Sequence, residues 1–316
     1  MPDFAEIVQT TVNGLASGSI FALGAIGLSL VYGILKLVNF AHGDFMTLGG
    51  YAAFVVVASA GLSLVVGIVA AMVIVAALGL LLEKGVWRPM RLRGAGIMQL
   101  LLMSLGLAFV LRNLIQFFWR GDRRDLLSDE GELVLLPFFD GAAISPFDTW
   151  RVTDDINLGY IKIMVMIGAG IALVAVALML RFTTLGKTMR ALSDSVELAE
   201  ISGINTRRVI TWTWVLAGSL AGLAGVFAAV FTSLSPDTGW FLLLGIFAAV
   251  VLGSILSTIT SVLNSSATLF SLGVYQKVIK PDASHHELVR SGRICSAIVM
   301  VGAVAFGPLI FLKVEG

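Results

Sequence analysis

Apolar residues recur in runs of about twenty, separated by short polar breaks, along most of the chain. A helix of that length crosses the roughly 30 Å hydrocarbon core of a bilayer. Within hydrocarbon, only helices and closed barrels satisfy their own backbone groups. Eight such runs are read, at residues 12–35, 45–59, 62–82, 97–119, 158–180, 209–232, 239–262 and 293–312. The expected fold is therefore an all-α polytopic membrane protein with about eight transmembrane helices. Composition agrees: of 316 residues, 58% are hydrophobic and 13% charged, against about 25% charged in soluble domains. A formal net charge of +1 points to no nucleic-acid partner, and the surrounding medium is membrane lipid. What matters is where the charges sit.

Their distribution orients the chain. Lys and Arg cluster at residues 84–93, 181–208 and 277–293, whereas acidic residues crowd 122–155. Basic loops stay in the cytoplasm. Eight spans place all three basic loops there, and residues 120–157 form an extracytoplasmic loop with some short structure of its own. Both chain ends then fall outside the cytoplasm. Residues 1–11 carry Asp3 and Glu6 and lack a basic start, so no cleavable signal peptide is read. The first span is expected to serve as the insertion signal. The single cysteine, Cys295, can form no intrachain disulfide.

Polar residues inside apolar sequence are the candidates for function. The break at 36–44 holds Asn39, His42 and Asp44. The second run is too short unless it includes part of that break, which sets His42 and Asp44 at or just inside the membrane boundary. Ionisable groups there are costly and are functional candidates; the plainer alternative is a turn, with Asp44 capping the second helix. Arg112 and Asn113 lie well inside the fourth run, and Arg112 either snorkels or faces a polar interior. Gly14 and Gly18 have small-xxx-small spacing. Gly218, Gly222 and Gly225 echo the glycines of the first run, which is compatible with an internal repeat.

Catalysis is not expected. Gly186-Lys187-Thr188 resembles the end of a phosphate-binding loop, but Arg181 occupies the position of the first glycine and a membrane helix precedes it. No metal-ligand spacing appears, and His285-His286 reads as solvated. No catalytic residue, cofactor or metal is predicted.

The largest water-facing stretch on the basic side is 183–208. Leu192, Val196, Ala199 and Ile201 recur there at roughly helical spacing. Gly203 is the stop signal, and Asn205 or Thr206 is the cap of the next helix. A short helix at a membrane face either lies among headgroups or docks into a partner. The string Glu197-Leu198-Ala199-Glu200-Ile201-Ser202-Gly203 resembles the Glu-Ala-Ala-x-x-x-Gly loop of ATP-binding-cassette importer permeases, with Leu198 departing from the pattern. That resemblance implies docking into a cytoplasmic ATPase through Arg190, Ala191, Glu197, Leu198, Ala199 and Gly203. Ala199 and Gly203 would permit close approach, and Arg190, Arg207 and Arg208 would meet acidic rims.

Longer strings carry a closer resemblance. Residues 14–32, Leu37-Val38-Asn39-Phe40-Ala41-His42-Gly43-Asp44, Leu48-Gly49-Gly50-Tyr51, then 185–210 and 236–253 resemble the branched-chain amino-acid (LIV-type) ABC permeases. Residues 1–253 are accordingly expected to form a LIV-type permease domain. The resemblance implies a permease subunit of a bacterial cytoplasmic (inner) membrane that pairs with a second permease, two ATPases and a soluble substrate-binding protein. Branched-chain amino acids, or related small amino acids and amides, would be its substrates. A path lined by Gly, Ser and Thr would carry them, with Asn39, His42 and Asp44 near a gate at the cytoplasmic mouth. Residues 254–316 depart from that family and resemble the sodium/solute symporters, in which two adjacent hydroxyls, here Ser257 and Thr258, would coordinate Na⁺. The plainer reading is that these hydroxyls bond helix carbonyls. A sodium-coupled symporter or a non-transporting relic are the alternative functions.

Overall fold

In the computed structural model of the protein, residues 4–126, 149–153 and 156–314 are described. They are almost wholly helical: α1 (Phe4–Leu35), α2 (His42–Phe54), α3 (Leu64–Leu82), α4 (Arg88–Leu92), α5 (Ile97–Trp119), α6 (Tyr160–Phe182), α7 (Thr184–Asp194), α8 (Val196–Ile201), α9 (Thr206–Phe231), α10 (Thr238–Thr268) and α11 (His285–Val314). Wider π turns extend α2 through Val55–Ser59, join α3 to α4 through Glu83–Trp87, and extend α10 through Leu269–Ile279. Within the acidic loop, β1 (Thr149–Thr153) and β2 (Ile156–Gly159) pair antiparallel; residues 127–148, 154 and 155 lie outside the described residues.

Among the described residues, six helices are long and apolar enough to cross a membrane: Glu6–Leu35, Leu64–Leu92, Ile97–Trp119, Lys162–Phe182, Thr206–Phe231 and Thr238–Ile279. The expected second run is not one of them. Its helix, α2, has 13 residues, roughly 20 Å at 1.5 Å per residue. The expected eighth run falls in α11, whose last side chains lie outside the described residues. The chain divides into two compact units, Met1–Ala249 and Val250–Gly316.

In the first unit α9 is the central post. It is the most buried of the long helices, and α1, α2 and α3 pack around it. Helices in lipid gain little from hydrophobicity and associate by close packing instead. Small residues make that possible here. A Cβ built on Gly218 would lie 2.7 Å from Ala76 Cα, one on Gly222 2.7 Å from Ala71 O, and one on Gly225 1.9 Å from Met46 O.

The break after α1 is a re-entrant strand of chain rather than a surface turn. Lys36 takes a left-handed conformation (φ 51°), and residues 37–41 run back along α1. His42 then meets Gly24 O through Nε2 at 3.0 Å. Gly24 lies eleven residues before the end of α1, roughly 16 Å along its axis, a distance five or six extended residues cover. Ser104 on α5 holds the strand in place: its Oγ accepts the Phe40 N–H at 3.1 Å and lies 3.1 Å from Val38 O. Helix α2 thus begins deep within the bundle.

A matching arrangement follows α9. Residues 232–237 return inward, with Arg124 and Leu234 exchanging backbone hydrogen bonds of 2.8 and 2.7 Å. Helix α10 starts against the first turn of α2, where the Gly239 N–H donates to Thr47 Oγ1 at 2.9 Å. A Cβ on Gly239 would sit 1.8 Å from Gly43 O, so the two helix starts cross backbone to backbone.

The second unit is a helix hairpin. Ser291 Oγ bonds Ser271 Oγ at 3.1 Å, and Gly292 packs against Ser271 and Ala267. At its turn Lys280 pairs with Glu287 at 2.5 Å. This pairing raises the lysine's pKa and lowers the carboxyl's.

Candidate functional site

The two inward helix starts bring together residues that sequence spacing keeps far apart. Arg112 of α5 sits between them. Its Nε lies 3.2 Å from Asp44 Oδ1 and 3.7 Å from Asp237 Oδ1, and its guanidinium stacks over the Trp240 ring at 4.6 Å. Asp44 is fully buried, the Arg112 side chain is 14% exposed, and that of Asp237 is 57% exposed. Arg112 therefore faces a polar interior. Position accounts for the setting: Arg112 lies fifteen residues into α5, two turns beyond Ser104, so the cluster occupies the half of the bundle remote from the basic loops.

Asp44 is not a cap. The N-cap of α2 is Ala41, with no side-chain bond, and Asp44 stands in the first turn beside Arg112. Asn39 lies on the re-entrant strand, where its Oδ1 accepts the Ala41 N–H at 3.2 Å. His42 stands deeper than the membrane boundary expected for it. Three buried atoms of this cluster make no hydrogen bond within the described residues: Asn39 Nδ2, Asp44 Oδ2 and Arg112 Nη2. Leaving such groups unpaired is costly. The cluster thus leaves a guanidinium donor and a carboxylate acceptor without partners among the described residues.

Sequence reading singled out Asn39, His42, Asp44 and Arg112 but passed over Asp237 and Trp240. A signal was present. Starting at His42 the chain reads His-Gly-Asp-Phe-Met-Thr-Leu-Gly, and starting at Thr238 it reads Thr-Gly-Trp-Phe-Leu-Leu-Leu-Gly. The repeated Gly, Phe, Leu and Gly fall in register, and the third residue of each copy, Asp44 or Trp240, touches Arg112.

The basic stretch folds as two short helices meeting at Ser195. Thr183 caps α7 by accepting the Gly186 N–H at 3.1 Å, and Ser195 caps α8 by accepting the Leu198 N–H at 3.3 Å. Asn205, not Thr206, caps α9, through the Arg208 N–H at 3.0 Å. Helix α8 ends in a Schellman turn: Gly203 N–H donates to Glu200 O and Ile204 N–H to Ala199 O. Gly203 has φ +80° with open space around it, so it serves the turn rather than close approach. Gly203→Ala should cost about 1–2 kcal/mol of local stability, read as faster amide exchange at Ser202–Ile204 with exchange in α9 unchanged.

Ala199 is 3% exposed and faces its own chain, unlike the outward contact expected of it. The most exposed apolar residues of α8 are Leu198 at 67% and Ile201 at 84% exposure. Arg190 is exposed on α7, Ala191 half-buried and Glu197 exposed on α8. Helix α7 is tied to the start of the re-entrant strand: Ser193 Oγ donates to Gly33 O at 3.1 Å, and Lys36 Nζ to Ser193 O at 3.2 Å.

In the second unit Ser257 and Thr258 are exposed, and Thr258 Oγ1 donates to Ser254 O of its own helix at 3.0 Å. This is the carbonyl bonding that the plainer reading expected of Thr258.

The sequence profile of the family described as "Branched-chain amino acid transport system / permease component" matches residues 10–306. The chain belongs to this family. Among its relatives is the high-affinity branched-chain amino acid transport system permease protein LivH of Escherichia coli K12, 29% identical over 265 residues and 80% of each chain. The corresponding protein BraD of Pseudomonas aeruginosa is 27% identical over 264 residues, 81% of each. A 66-residue stretch, 21% of the chain, is 33% identical to 12% of the sodium/glucose cotransporter of Vibrio parahaemolyticus. No solved structure matches the chain. As a permease component it is a non-catalytic, multi-pass protein of the inner membrane. The matched range includes both the re-entrant strand with α2 and the α7–α8 stretch.

Proposed function

We propose that the chain is the permease subunit of an ATP-driven importer of branched-chain amino acids or related small amino acids and amides. Separate ATPases move it through residues 183–208. A second permease subunit and a soluble substrate-binding protein complete the assembly. The observation carrying this reading is the outward pair Leu198 and Ile201 on a short, doubly capped helix, against the family background. An exposed apolar pair on the water-facing side is costly unless a partner covers it, and an aliphatic anchor seated in a cleft is an ordinary mode of helix docking.

The linkage from α7 gives the motion a route. Movement of α7 reaches Lys36 through Ser193, and Lys36 begins the strand that carries Asn39 to α2. Arg112 and Asp237 stand where that route ends, and the acid and amine of an amino acid match their charges. The membrane path remains a weak site, with affinity held by the binding protein. Residues 1–253 are read as the permease domain, and the remainder as a membrane segment added to it.

Leu198→Asp with Ile201→Asp should leave the bundle folded, because neither side chain packs within it. ATPase recovered with the affinity-tagged permease should fall more than about tenfold, since hydrophobic anchors of this kind each contribute on the order of 1–2 kcal/mol, and leucine uptake should fall in parallel. Undiminished ATPase recovery and uptake would reject the reading.

A further inference from the structure

On the basic side of the first unit, a cleft of about 540 Å³ opens between the end of α3 with α4 and the start of α9. Lys84, Arg88, Arg91 and Arg207 line it, with Glu83 as its one acid and Leu92 and Ile210 as apolar lining. That acid is fully engaged: one carboxylate oxygen pairs with Arg91 and the other accepts the Trp214 indole N–H at 2.8 Å. Among the described residues no carboxylate pairs with Lys84, Arg88 or Arg207, and the Arg91 Nη1 is buried without a hydrogen-bond partner. Three cations without an acidic partner thus line a space whose one carboxylate is already engaged.

Both walls are the ends of membrane-crossing helices, Leu64–Leu92 and Thr206–Phe231. Leu92 of the lining is exposed, and so is Leu81, one turn before Lys84. A cationic recess at that level, with apolar residues at its edge, matches a phosphate ester whose remaining body is hydrocarbon. Guanidinium forks bind phosphate oxygens through paired N–H donors, and a lysine adds a point charge. We infer that this cleft is a binding site for the phosphate of an anionic phospholipid headgroup, seated between α3–α4 and α9. The ligand joins the helix carrying Glu83 to the central post where it leaves the α7–α8 stretch.

The test uses the full chain in detergent, with phosphatidylglycerol, phosphatidylcholine and inorganic phosphate as probes. Bound lipid is counted by native mass spectrometry, and stabilisation by thermal unfolding. Phosphatidylglycerol should be retained and should raise Tm, and phosphatidylcholine should do neither. Arg88→Gln with Arg207→Gln should weaken phosphatidylglycerol binding about 25-fold, at about fivefold per cation near the surface. Lys277→Gln with Arg290→Gln, removing equal charge from the second unit, should leave it unchanged. Both pairs of side chains are at least partly exposed, so folding is preserved. Stabilisation by inorganic phosphate at millimolar concentration, lost in the same Arg pair, would keep the phosphate site and assign it to a free anion. Equal retention of lipid by both double variants would overturn the proposal. So would a cleft that ignores both phosphate probes while the Arg pair sheds a co-purifying protein, which would make it an acidic docking surface.

Discussion

Gly239→Ala is expected to abolish the folded permease, whereas Gly253→Ala should leave it unchanged. The added Cβ at 239 would lie 1.8 Å from Gly43 O and 2.4 Å from Thr47 Oγ1. The obstruction is backbone, so no side-chain rotation relieves it; the starts of α2 and α10 must move apart by an ångström or more. Separation would also break the Gly239 N–H bond to Thr47 and pull Trp240 off Arg112. Ordinary overpacking costs about 1–3 kcal/mol, and losing this crossing should exceed the upper figure. At Gly253 nothing lies within 4 Å of the added atom, so the same methyl there controls for helix propensity and expression. The measurement is the monodisperse fraction by size exclusion with thermal unfolding in detergent. Wild-type behaviour of Gly239→Ala would show that the two helix starts do not cross as described.

Arg112→Ala should be nearly as damaging, for electrostatic rather than steric reasons. It strands Asp44, which is fully buried and has no other ion-pair partner among the described residues. Removing one member of a buried pair costs about 3–5 kcal/mol, and a fall of that size in thermal stability is expected. Asp237→Asn should cost less than about 1 kcal/mol, because its carboxylate is more than half exposed and water screens it. Transport separates these effects from simple destabilisation. If Arg112 meets the substrate, Asp237→Asn should still raise the KM for leucine uptake while stability stays close to wild type. Equal stability of Arg112→Ala and wild type would show that the buried pair does not form.

The sequence made the membrane class plain because hydrocarbon leaves so few choices: a twenty-residue apolar run has no other economical conformation. It also made Asn39, His42 and Asp44 conspicuous, and the caps around Gly203 and Asn205 nearly all readable. It did not reveal the depth of residues 36–41, since a short break between apolar runs reads the same whether it turns at the surface or doubles back into the bundle. Asp237 was hidden by the same ambiguity: an acid just past the end of a span ordinarily meets water, and only the inward return of 232–237 carries it to Arg112. Ala199 misled for a different reason. Small residues permit close approach on either side of a helix, and composition alone does not say which side faces the protein. The outward role fell to Leu198, the position at which the family string is broken.

The measurement that addresses the driven-permease reading most directly is site-specific cross-linking. With Cys295 replaced by serine, a single cysteine at position 198 or 201 is linked, in native membranes, to whatever lies against it. Both positions should capture an ATPase subunit, capture should respond to nucleotide, and a cysteine at Phe117, exposed near the far end of α5, should capture none. Capture of the ATPase from 117 and not from 198 or 201 would contradict that reading.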